Sequence, residues 1–82
     1  MKIYTINDSK AAFYGQPFYA RSNGEAIRTF EGAVRTDTPD NQLNKYPADF
    51  SLFEIGEFDE QTGKITAIDP KHLVNGLDFK QQ

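Results

Sequence analysis

The sequence predicts an α+β fold, a small antiparallel sheet of three or four strands with one helix packed on one face. Three observations carry this. One stretch, Ser22–Arg35, has its apolar residues at helical spacing. Two segments, Ser51–Phe58 and Lys64–Ile68, alternate and are joined by the turn formers DEQTG. The chain has 82 residues, enough for one domain at 1–82 with one modest core, and its seven Phe and four Tyr can fill that core from few positions.

Along the chain, Lys2–Asn7 (KIYTIN) is rich in β-branched and aromatic residues and reads as a strand. Lys10–Arg21 carries Gly15 and Pro17 at its middle, which argues against a helix, and Phe18–Ala20 is a short candidate edge strand. The helix begins at Ser22, with Glu25 three residues on as a capping box, and buries Ala26, Ile27, Phe30, Ala33 and Val34. Residues 36–49, with two prolines, form a long loop.

In Ser51–Phe58, Phe53 and Ile55 share a face, and one extra residue at Gly56, a β-bulge, brings Phe58 back to it. Gly63 suits a left-handed turn position. Asp69-Pro70 ends the second strand and opens a tail, 70–82, whose Leu73, Val74, Leu77 and Phe79 cap the core or pack on another subunit. The expected core is Ile3, Ile6, Ile27, Phe30, Val34, Phe53, Ile55, Phe58 and Ile65.

Glu54, Glu57, Asp59 and Glu60 crowd one segment. Acid–base chemistry needs carboxylates held in a cleft, and a hard metal needs converging oxygens. In the expected register Glu54 faces away from the core, Glu57 sits at the bulge and the other two sit in the turn, so the four acids read as a solvated face. His72, the one histidine, has no partner for base catalysis, and no cysteine offers a thiol or a zinc ligand. No glycine-rich phosphate loop is present. The reading is of a non-enzyme, with no cofactor and no metal. No apolar run approaches the roughly 20 residues of a membrane span.

The net charge of −3 is unevenly spread: every arginine lies in the first half, and most acids lie in the second. Lys10–Arg21 interleaves Phe13, Tyr14, Phe18 and Tyr19 with cations and contains no acid, a pattern suited to stacking bases and contacting phosphates. The competing reading makes Phe13 and Phe18 core. Arg28 and Arg35 share a helix face but flank Glu31, as ordinary surface ion pairs do. The candidate nucleic-acid-binding residues are Lys10, Tyr14, Tyr19, Arg21, Arg28 and Arg35.

The blocks PFYARSNGEAIRTF and YPADFSLFEIGEFDEQTGKI, joined by a variable loop, resemble the small nonstructural protein of gokushoviruses, tailless single-stranded-DNA phages of the Microviridae. The resemblance implies a protein of the host bacterial cytoplasm, absent from the mature virion, that acts in single-stranded-DNA replication or packaging. It carries over no catalytic residues. Two functions stand as expectations: weak binding of single-stranded DNA, or an adaptor that docks a replication, procapsid or host protein. A homo-oligomer fits either, because a small domain gains core by pairing.

Overall fold

A computed structural model describes residues 1–79 of the chain. The architecture is α+β, as the sequence predicts, with a five-stranded antiparallel sheet and one main helix. The strands are β1 (Lys2–Asp8), β2 (Phe13–Tyr14), β3 (Phe18–Ala20), β4 (Phe50–Phe58) and β5 (Ile65–Asn75). β1 is central, pairing with β4 on one side and with β2 and β3 in succession on the other, while β5 follows β4 at the far edge. Helix α1 (Asn23–Arg35) lies on one face; the long loop adds a one-turn helix, α2 (Gln42–Lys45), and a 3-10 turn at Pro47–Asp49.

Ser22 caps α1, its Oγ accepting from the Glu25 amide at 3.2 Å. The predicted capping box is shifted by one residue: Glu25 accepts from the Arg21 amide at 2.7 Å rather than from Ser22. Ala26, Phe30 and Val34 are buried against Tyr4 and Ala20 of the first strands and Phe50 and Leu52 of β4. Asn41 and Asn44 fasten the loop beneath, their side-chain amides donating to the Ala33 and Val34 carbonyls. These bonds satisfy the carbonyls left free at the end of the helix.

Three expectations are corrected. The core of β4 is Phe50 and Leu52; Phe53, Ile55 and Phe58 are half-buried, and Ile65 is 62% exposed. Ile3 is buried, yet it pairs with Tyr19 and Gly56 on the face away from the helix. Strand β5 runs through Asp69-Pro70 to Asn75 instead of ending there. It is an edge strand whose pairing with β4 shifts between Glu54 and Gly56, and a proline is tolerated at such a place. The tail then closes on the core: Leu73, Val74 and Phe79 pack on it, with Phe79 edge-on to Phe30 at 6.2 Å between centroids. Residues 80–82 of the expected tail lie outside the described residues.

Glu54 is the third correction. It is only 8% exposed and faces the helix side, because it pairs with Tyr4. Its carboxylate takes a 3.0 Å ion pair from Lys2 Nζ. Beside it the Tyr4 hydroxyl donates to Asn23 Oδ1 at 2.7 Å. The hydrogen bond and charge of Glu54 raise the Lys2 pKa, and burial, with Glu54 second, raises that of the Tyr4 phenol. A group whose folded pKa is raised stabilises fully below its unfolded pKa, about 10 for either residue, and that contribution is lost as pH rises through the folded value. The urea midpoint is therefore expected to hold through neutral pH and fall in strong alkali, less steeply in Tyr4→Phe. An identical alkaline fall in that variant would remove Tyr4 from the account.

The β4–β5 turn follows its sequence. Gly63 has φ +76°, and Asp59 Oδ1 accepts from the Gln61 and Thr62 amides, which lowers its pKa. The bulge falls at Ile55, between the pairs Tyr4–Glu54 and Ile3–Gly56, one residue before the predicted position. Gly56 still has a steric role, since a Cβ there would stand 2.7 Å from the Thr66 carbonyl oxygen.

Candidate nucleic-acid interface

Residues directly opposite in an antiparallel pair project to the same side, so the register sorts the sheet into two faces. The helix side holds the pairs Lys2–Glu57, Tyr4–Glu54, Ile6–Leu52 and Asp8–Phe50, together with Lys71 opposite Glu54. The open side holds Ile3, Thr5 and Asn7 of β1, Tyr14, Tyr19, Ser51, Phe53, Gly56 and Phe58, and Ile65, Ala67, His72 and Asn75 of β5. Every Asp, Glu and Lys of the paired positions is on the helix side, and the one titratable side chain besides tyrosine on the open side is His72.

The rings of the open face form two groups. Tyr14 meets Phe53 edge-on at 5.5 Å, and Phe53 meets His72 in the same manner at 5.5 Å. At the other end Tyr19 lies 5.9 Å from Phe58. Tyr14 and Tyr19 are 50% and 52% exposed, so their rings are half open to solvent. Thr5 holds the loop between them, its hydroxyl donating to the Gly15 carbonyl at 2.8 Å. Glu60 borders the Tyr19–Phe58 end, lining a hollow of about 260 Å³ with those two rings and Met1.

The six candidate residues do not form one surface. Tyr14 and Tyr19 share the open face. Arg21 is exposed just past the end of β3, and Lys10 is exposed in the β1–β2 turn, beside a hollow of about 310 Å³ that Asp8 and Asp49 also line. Arg28 and Arg35 are on α1, across the sheet from the tyrosines, and Arg35 is engaged by Glu31 at 2.8 Å. Of the two alternatives for the phenylalanines, Phe18 packs on the core and Phe13 is exposed. Sequence reasoning missed Phe53 and Phe58 as surface rings, and it gave the exposed His72 no neighbours. The shared face of Phe53 and Phe58 was readable, but which side the helix covers was not. Among the described residues, no three His, Asp or Glu side chains come together in a way that could hold a metal ion, and no helix is long and apolar enough to cross a membrane.

The family model for the phage ORF5 protein matches residues 1–79. The chain belongs to the phage ORF5 protein family. Protein ORF5 of Chlamydia phage 1, a gokushovirus of the Microviridae, is 37% identical over 71 residues, which cover 84% of this chain and 74% of that relative. No solved structure matches the chain. In this ORF5 protein the block PFYARSNGEAIRTF supplies β3 and most of α1, and YPADFSLFEIGEFDEQTGKI supplies the 3-10 turn, β4 and the turn into β5. The two blocks therefore build the helix and the strand on which it rests.

Proposed function

We propose that this ORF5 protein is a non-enzymatic, nonstructural phage protein that binds single-stranded DNA weakly during genome replication or packaging. It works in the host bacterial cytoplasm and is absent from the mature virion. The observation that supports this reading is the sorting of charge across the sheet. A protein of net charge −3 repels a polyanion unless its acids are turned away, and the paired positions of the open face present rings and no carboxylate. Exposed rings stack on bases without regard to sequence, and Lys10 and Arg21 stand near the edge of that face as candidate phosphate contacts. Arg28 and Arg35 have no part in this surface.

Fluorescence anisotropy of a labelled single-stranded oligonucleotide tests the reading. Binding should saturate and weaken as salt is added, with a shallow slope, because few phosphates are neutralised. Tyr14→Ala and Tyr19→Ala should each weaken it by roughly 1–3 kcal/mol, the scale of a lost stack, while Arg28→Ala leaves it unchanged. Unaltered affinity in a folded double tyrosine variant would reject the surface. No binding even at low salt would favour protein contact instead, through the outer edge of β5, where Ile65 and Ile68 are exposed.

A further inference from the structure

We infer that His72 is a third base-contacting ring of the open face, beside Tyr14 and Tyr19, and makes its affinity for single-stranded DNA rise as pH falls; this rests on the nucleic-acid reading above. The Tyr14–Phe53–His72 row spans β2, β4 and β5, with the half-buried Phe53 edge-on between two exposed rings at 5.5 Å from each. Phe53 is thus a positioning residue, a brace that fixes where Tyr14 and His72 stand.

The imidazole is oriented as well as braced. Its Nε2 lies 2.8 Å from Asn75 Oδ1, an amide oxygen that also accepts from Ser51 Oγ at 2.9 Å. A carbonyl oxygen can only accept, so Nε2 carries the hydrogen and Nδ1 is the atom that takes up a proton. The Asn75 backbone is held in turn, its N–H donating to Asp78 Oδ2 at 3.0 Å. A solvent-exposed histidine fixed by a ring on one side and an amide on the other loses little freedom when a base stacks on it.

The charges around it leave protonation as the main electrostatic change on this face. From β4, Ser51 and Phe53 face the imidazole, whereas Glu54 and Glu57 face the helix side. On its own strand Lys71 pairs with Glu54 on the helix side, and Asp69 lies where the pairing shifts. Asp78, after the strand, is occupied by the Asn75 amide, and the charged residues of α1 are across the sheet. An imidazolium would therefore be the sole cation among the paired open-face positions, where a phosphate can reach it.

The test titrates a labelled oligothymidylate, and an abasic analogue of equal length, with wild type, His72→Phe and His72→Ala at about pH 5.5 and about pH 8. Wild-type affinity for oligothymidylate should rise roughly three- to tenfold at the lower pH, the scale of one added charge contact. His72→Phe keeps the ring, so it should bind like wild type at the higher pH and lose the acid enhancement. His72→Ala should bind at least about fivefold more weakly at both values, with a smaller change on the abasic strand. Wild-type binding that ignores pH, or full acid enhancement in His72→Phe, would overturn the inference and leave the tyrosine surface standing. No binding of wild type to either strand would overturn both.

Discussion

Leu52→Ala should lose about 2–5 kcal/mol of unfolding free energy, a large part of the roughly 4–12 kcal/mol expected for a domain of this size. Leu52 is fully buried between Ile6 and Val74 on its neighbouring strands and packs in the cluster that includes Phe30 and Val34. Its removal leaves a cavity that a small core cannot close. Phe53, the next residue, is larger, but it is half-buried on the opposite face, where its ring meets those of Tyr14 and His72. Phe53→Ala should cost roughly 1–2 kcal/mol. Urea denaturation of the two variants measures the difference. A larger loss in the Phe53 variant would mean that the helix lies on the other side of the sheet.

Gly76→Ala should be the most damaging single-methyl addition to the chain. Gly76 begins the 3-10 turn after β5, and a Cβ there would stand 2.5 Å from the Pro47 carbonyl oxygen and 3.3 Å from that of Phe50. Both obstacles are backbone, so no rotamer change relieves them, and the closing turn must move off the start of β4. Overpacking of this kind costs about 1–3 kcal/mol or more, which in a domain of this length lowers the thermal midpoint by roughly 5–20 °C. Gly63→Ala is the comparison. Its φ of +76° carries strain, but nothing stands within 4 Å of the added carbon, so the cost should stay near 1 kcal/mol. A thermal scan in which Gly63→Ala is the worse of the two would refute the packing seen at Gly76.

The sequence made the elements legible because their signals are local. Ser22 and the spacing of Ala26, Phe30 and Val34 define α1 without reference to the sheet, and Gly63 defines its turn by its own backbone. The faces of β4 were not legible. Phe50 and Leu52 on one side and Phe53, Ile55 and Phe58 on the other are equally apolar, and alternation reports that two sides exist without saying which one the helix covers. Tyr4 and Glu54 decide it through contacts with Asn23 and Lys2 that join distant parts of the chain. For the same reason Tyr14 and Tyr19 could be read as a pair from one short aromatic stretch. Arg28 and Arg35 were joined to them only because charge summed along a sequence carries no information about sides. His72 shows no partner in the sequence because its supports, Phe53 and Asn75, are brought to it by the folded sheet.

The central position of β1 sets the order in which the protein can form during synthesis. This strand leaves the ribosome before its main partner β4, and the bond from Lys2 to Glu54 joins residues 52 apart. Until β4 emerges, β1 has only the two short strands β2 and β3 to pair with, and α1 has no finished surface to cover. The nascent chain must therefore carry an unpaired strand edge from the emergence of β1 to that of β4, and folding waits on this long-range closure.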